Sequence, residues 1–157
     1  MPKRAFVTVT DQNRVNQNAV KIMLKSFLPF FEGFDSISVL YPNGQLPSEL
    51  ISWLKKSSIS TFSFDLEPND DPYATKFLLI DFLDLHGTKF DEILYLDPDH
   101  IVLRKPKLKA IDNSLIVSSE VKKLDKEVVS KLDLCSSIPN KTMDHCNTSL
   151  IYGKTKY

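Results

Sequence analysis

Glycine is scarce in this chain, with four residues in 157 against nine prolines and ten phenylalanines. That composition excludes a low-complexity or disordered polymer, which lacks the apolar residues needed to offset the entropy of ordering. Cysteine is scarcer still. Cys135 and Cys146 lie eleven positions apart, a spacing that matches no zinc or redox motif, and two cysteines in a chain this long make no disulfide framework. They read as reduced, partly buried thiols. Charge of one sign is also lacking, because 20 Lys and Arg balance 20 Asp and Glu. A chain without a net basic face is not an electrostatic nucleic-acid binder, so any anionic ligand must be held locally. No apolar run approaches the roughly 20 residues of a membrane span. The N-terminus passes from Met1-Pro2-Lys3-Arg4 directly into the apolar run Ala5 to Val9, with no signal-peptide core or cleavage site. The expected location is cytoplasmic.

What is present is 42% hydrophobic residues in a pattern that alternates between two periods. Ala5-Phe-Val-Thr-Val-Thr10 is β-branched and short, and after the polar stretch Asp11 to Gln17 come Val20, Met23, Leu24 and Phe27 at helical spacing, ended by Pro29. Ser36 to Tyr41 reads as a second strand, stopped by Pro42-Asn43-Gly44 and followed by the helical stripe Leu46, Leu50 and Leu54. Ser60 to Phe64 gives a third strand. Asp71-Pro72 offers an N-cap and a proline at the first helical position, opening a helix through Phe77, Ile80 and Leu83 that closes at His86-Gly87. Glu92 to Leu96 is almost continuously apolar, as in a strand covered on both faces. Further on, Ser114 to Val117 reads as a strand, Val121, Leu124, Val128 and Leu132 fall at helical intervals, and Asn147 to Tyr152 reads as a last strand. With no repeat and no linker, residues 1–157 form one expected domain of α/β class: a mostly parallel, Rossmann-like sheet flanked by helices, with ligands at the strands' C-terminal ends.

The sharpest local feature is Asp97-Pro98-Asp99, directly after the apolar strand. On an extended segment, side chains two apart share a face, and Pro98 both favours extended backbone at Asp97 and removes an N–H from sheet pairing. Two carboxylates converging at a strand end repel unless a cation lies between them, and oxygen ligands suit Mg²⁺ or Mn²⁺ that also holds phosphate oxygens. Asp and Pro are equally turn formers, so spacing alone leaves a metal clamp and a simple acidic turn both open.

Four blocks taken together are more specific. Ala5 to Thr10, the helix containing Lys76, the run Ile93-Leu-Tyr-Leu-Asp-Pro-Asp-His-Ile-Val102 and the closing Cys146-Asn-Thr-Ser-Leu-Ile-Tyr152 resemble, in order and spacing, the glycogenin-like family-8 glycosyltransferases of the GT-A fold. The resemblance implies a metal-dependent transferase of hexosyl type that uses a UDP-sugar donor, with retention at the anomeric carbon. It places Thr8, Thr10 and Asp11 at the uracil and ribose, Lys76 near the donor's sugar and phosphates, and Asp97 and Asp99 on Mn²⁺ or Mg²⁺, with Asp97 also meeting the ribose. Asn147 matches the asparagine that faces the transferred sugar. Val15 stands near a position where the family often carries an aromatic that stacks on the base, with Asn13 and Arg14 as adjacent polar groups. Ser149 replaces a family glycine. His100, one residue from Asp99, is expected on the other face of an extended chain and not as a ligand. The family's third metal ligand, a histidine, and much of its acceptor surface fall beyond Tyr157, and His145 is too close to Asn147 to replace that ligand. The acceptor, whether glycan, protein or small molecule, and the oligomeric state are not legible. Two other functions remain open on the residues: a nucleotide-sugar-binding module without efficient transfer, and a phosphohydrolase in which Asp97 and Asp99 act as nucleophile and acid.

Overall fold

The structure, a computed structural model, describes residues 2–66, 74–106, 108, 115–123 and 144–154, with the side chains of the last two stretches described only at Ile151 and Tyr152. Among these residues, six strands form one sheet in the order β3-β2-β1-β4-β6-β5. Strands β1 (Arg4–Val9), β2 (Ser36–Pro42), β3 (Ser60–Phe64) and β4 (Glu92–Leu96) run parallel to their neighbours in this set, whereas β6 (Asp144–Lys154) pairs antiparallel with both β4 and β5 (Leu115–Lys123). The chain winds outward from β1 to β3 through helices α1 (Arg14–Phe27) and α2 (Ser48–Lys56). It then returns through α3 (Leu78–His86) to lay β4 on the other side of β1. That reversal makes the C-terminal ends of β1 and β4 the topological switch point, where open α/β sheets take their ligands.

Strand alternation distributes the core over two faces. Phe6, Val39, Leu94 and Leu96 pack against Val20, Leu24 and Phe27 of α1 and Leu50 and Leu54 of α2. Val7, Val9, Leu40, Ile93 and Tyr95 pack against Leu78, Leu79 and Phe82 of α3. The expected helices on both faces are present, and β4 is buried along its whole length, as its apolar run implies.

Local chemistry accounts for the element ends. Asn13 caps α1 by accepting the Val15 N–H, and Pro29, which has no N–H to donate, lies in a 3-10 turn over Leu28–Phe30 that ends the helix. Helix α2 ends in a Schellman arrangement: the Ser58 N–H donates to Lys55 and the Ile59 N–H to Leu54. Ser58 takes φ +57° to make this turn.

Three expectations need correction. Leu46 precedes α2 instead of joining it, because the helix begins after Pro47. The core stripe of α3 is Leu78, Leu79 and Phe82; Phe77 lies in a preceding 3-10 turn (Ala74–Phe77), and both Phe77 and Ile80 are exposed. In a nearly all-apolar stretch several phases look alike, and packing against β1 and β2 selects one. Asp71 and Pro72 lie outside the described residues. Val121 to Lys123 continue β5, where a helix was expected, and 124–143 lie outside the described residues.

Candidate functional site

The C-terminal end of β4 delivers Asp97 to the switch point. Tyr95 and Asp97 are two apart and share the α3 face of the sheet, so the strand period that buries the Tyr95 ring also sets its hydroxyl against the aspartate. Tyr95 Oη donates to Asp97 Oδ1 at 2.5 Å, and Lys76 Nζ, from the turn leading into α3, donates to Asp97 Oδ2 at 2.7 Å. The Asp97 side chain retains only 12% of its accessible surface, against 26% for Lys76. Burial, and then the hydrogen bond to Asp97, push the Tyr95 phenol well above the usual tyrosine range, so it is a donor at neutral pH.

Beyond Asp97 the backbone does not stay extended. Residues 97–100 form a turn closed by the His100 N–H donating to the Asp97 carbonyl at 3.3 Å. This corrects the extended geometry expected for Asp97-Pro98-Asp99, since the residue following the proline is free to turn even where the one before it is not. The two carboxylates therefore differ in environment: Asp97 is enclosed, while the Asp99 side chain is 81% exposed. His100 is also not on an opposite face. Its ring folds back, with Nδ1 at 3.1 Å from both the Asp97 carbonyl oxygen and Asp99 Oδ1, and donates to either when the proton is on Nδ1.

The end of β1 lies next to β4 and is built differently. Thr8 and Thr10 are buried, and neither hydroxyl has a hydrogen-bond partner among the described residues. Thr8 lies between Val7 and Val9, which pack toward α3, so it faces the α1/α2 layer; the sheet itself separates its side chain from that of Asp97. The Thr10 N–H donates to the Leu40 carbonyl, so this part of the backbone is used by the sheet. Asp11 stands at the rim and organises the entry to α1. Its Oδ1 accepts the Asn13 N–H at 2.7 Å and its Oδ2 accepts Asn16 Nδ2 at 2.8 Å. Arg14 and Val15 follow on the exposed first turn, Val15 at 71% exposure.

Strand β6 carries Asn147 to the same end of the sheet. Its last pair with β4 is Leu150 with Leu96, so β6 runs on past the end of β4, and Asn147, three positions beyond that pair, stands in register with Ser118 of β5. The side chains of Asn147, Ser149, His145 and Cys146 are not among those described, and Cys135 lies outside the described residues. No set of three or more His, Cys, Asp or Glu side chains gathers into a metal-binding group among the described residues. A separate cleft of about 340 Å³ opens at the ends of β2 and β3, lined by Pro42, Asn43, Gln45, Asp65 and Leu66, none of them a residue singled out from the sequence as a site residue.

Tyr95 is the group that reading the sequence missed. Its signal was available, since a polar-tipped aromatic two positions before a strand-end aspartate shares that aspartate's face. No described helix is long and apolar enough to cross a membrane.

No family model and no curated protein matches the chain by sequence. By structure it is similar to the galactosyltransferase LgtC solved with donor and acceptor sugar analogues, at 14% identity and a TM-score of 0.65, over 94% of this chain and 56% of that one. An active-site mutant of LgtC matches at 13% identity and 0.65 over the same shares. The glycosyltransferase GlyE of Streptococcus pneumoniae in its apo form matches at 17% identity and 0.57, over 99% of this chain and 34% of GlyE. The chain has the GT-A glycosyltransferase fold, and it spans a little over half the length of LgtC and about a third of GlyE.

Proposed function

We propose that this chain binds a nucleotide sugar, a UDP-sugar in the first instance, at the β1/β4 switch point, and that it serves hexosyl transfer from that donor with retention at the anomeric carbon. The observation that carries the reading is the Asp97–Lys76 pair at that switch point in a glycosyltransferase fold. It joins a fixed acid and a cation where a diphosphate needs both a ligand partner and charge neutralisation.

The residues suit a divalent cation in a particular way. Their donor set is oxygen only, one carboxylate enclosed and one open to solvent within a single turn. Such a pair fits Mg²⁺ or Mn²⁺ arriving together with a diphosphate, whose oxygens and water complete the coordination, and does not fit an ion held by the protein alone. Asp97 and Asp99 are the residues that would hold it; when bound, such an ion supplies charge neutralisation on the departing diphosphate. Lys76 carries three donors on a flexible stem and can offer one to a phosphate or sugar oxygen. Asp11 and Thr10 are the groups proposed for the nucleoside and Asn147 for the transferred sugar; the Thr8 side chain, fully buried on the α1/α2 face, is left out of the proposed contacts. No nucleophile is assigned to the chain, so a front-face displacement assisted by the leaving phosphate is the form of retention proposed here.

A phosphohydrolase finds less support. In that reading Asp97 attacks a phosphorus, yet both its oxygens are engaged by donors and its side chain is largely enclosed. Calorimetric titration of UDP-sugars with and without Mn²⁺ tests the proposal: binding should require the cation. Equal affinity in excess chelator removes the metal from the reading, and release of phosphate from simple phosphomonoesters reinstates the hydrolase.

A further inference from the structure

We infer that Tyr95 is a positioning residue for Asp97, and that it leaves Asp97 Oδ2 as the oxygen through which this site engages a cation–diphosphate. The inference rests on the reading of Asp97 as a ligand given above and adds to it the residue that aims the carboxylate and the atom that is aimed.

The two donors on Asp97 are mechanically unlike. The Tyr95 ring is fully buried in the cluster with Leu78 and Phe82, so its hydroxyl is delivered from a fixed point to Oδ1 at 2.5 Å. Lys76 reaches Oδ2 at 2.7 Å along a four-carbon stem whose side chain is 26% exposed. An ammonium of that kind can rotate to another acceptor at the rim, whereas a packed phenol cannot. Asp97 needs such a fixed partner because regular pairing of β4 ends at Leu96 and the next residue, Pro98, has no N–H. Without the Tyr95 hydroxyl, the one side chain among the described residues that still holds the carboxylate plane is a flexible lysine. With it, Oδ1 is satisfied from inside the protein and Oδ2 points to the side from which Lys76, and hence a ligand, approaches. Partners of this kind behind a metal-binding carboxylate typically alter metal affinity by about 10–100-fold.

The test is Mn²⁺ affinity in the presence of UDP, measured by electron paramagnetic resonance, on wild type, Tyr95→Phe and Tyr95→4-aminophenylalanine. Tyr95→Phe should weaken Mn²⁺ binding about tenfold. The 4-amino variant restores an N–H donor on the same ring and should recover binding to near the wild-type value, an outcome that lost packing cannot produce. Wild-type affinity in Tyr95→Phe overturns the inference while leaving the proposed function intact. So does a 4-amino variant as weak as the phenylalanine one, and so does a Tyr95→Phe chain that no longer folds, since the hydroxyl would then serve the fold and not the aim of Asp97. Failure of wild type itself to bind Mn²⁺ with UDP overturns the reading of the site and the inference with it.

Discussion

Lys76 and Asp97 are 21 positions apart and meet at 2.7 Å, the ammonium at the entrance to α3 closing on the carboxylate at the exit of β4. The connection from β3 through α3 to β4 makes the encounter, because it sets the start of α3 over the C-terminal edge of the sheet. A carboxylate as enclosed as Asp97 needs such compensation, since burying an unpaired charge is strongly unfavourable.

The same pair sets two effects of opposite sign on one substitution. Lys76→Met keeps the alkyl stem and removes the ammonium that, in the proposed site, would compete with a cation for Asp97 Oδ2. Mn²⁺ alone should therefore bind more tightly than to wild type, while a UDP-sugar with Mn²⁺ should bind more weakly. Stability should fall by about 1–3 kcal/mol, the cost of leaving a buried acceptor underpaired. Paired titrations with and without nucleotide read both signs, and a variant that changes both affinities in the same direction contradicts the shared use of Oδ2.

Asp99 is exposed and touches only the His100 ring among the contacts described for its side chain. Asp99→Asn should leave the melting temperature within the ~0.5 kcal/mol range of surface substitutions and abolish most Mn²⁺-dependent UDP binding, because the amide keeps the shape and loses the charge. An unchanged isotherm would reduce Asp99 to a turn residue.

At the opposite end of the sheet, Glu92 Oε2 accepts from Arg4 Nε at 2.5 Å and from Tyr152 Oη at 2.7 Å, tying β4 to both of its neighbours. Burial, and then the bond to Glu92, push the Tyr152 phenol up to about 12. Because the folded value lies above the unfolded one of about 10, this contribution to stability is complete below pH ~10 and is lost as pH rises through the folded value. The melting temperature of wild type should thus fall more steeply between about pH 10 and 12 than that of Tyr152→Phe. At neutral pH the variant should be less stable by about 1–3 kcal/mol. Parallel melting curves for the two proteins rule this out.

Ser58 adopts a left-handed conformation at the end of α2, with φ +57°. A side chain there costs roughly 1–2 kcal/mol, partly offset by glycine's greater freedom in the unfolded chain. Ser58→Gly should therefore raise the melting temperature by about 2–4 °C, the shift expected for ~1 kcal/mol in a protein of this size. A decrease would mean that the Ser58 side chain makes a compensating contact.

The sequence by itself determined the alternation of strands and helices, and through it the α/β class and the central position of β4. These depend on periods of two and about 3.6, which are written locally. It also located Asp97, because an apolar strand ending in acid-proline-acid is visible without coordinates. The tertiary structure decided which phase of the apolar run Phe77 to Ile80 enters the core, and that Val121 to Lys123 extend a strand in spite of their helical spacing. Both depend on neighbours distant in the chain. It decided that the backbone turns at residues 97–100, so that the two acids have unlike surroundings, and that Thr8 faces the layer opposite Asp97. Most of all it decided that Tyr95 and Lys76 hold the two oxygens of Asp97: the first contact needs the ring immobilised by α3, and the second needs a crossover helix that returns over the sheet. Spacing carries no information about a partner supplied by another element, and in this protein such partners set the surroundings of Asp97.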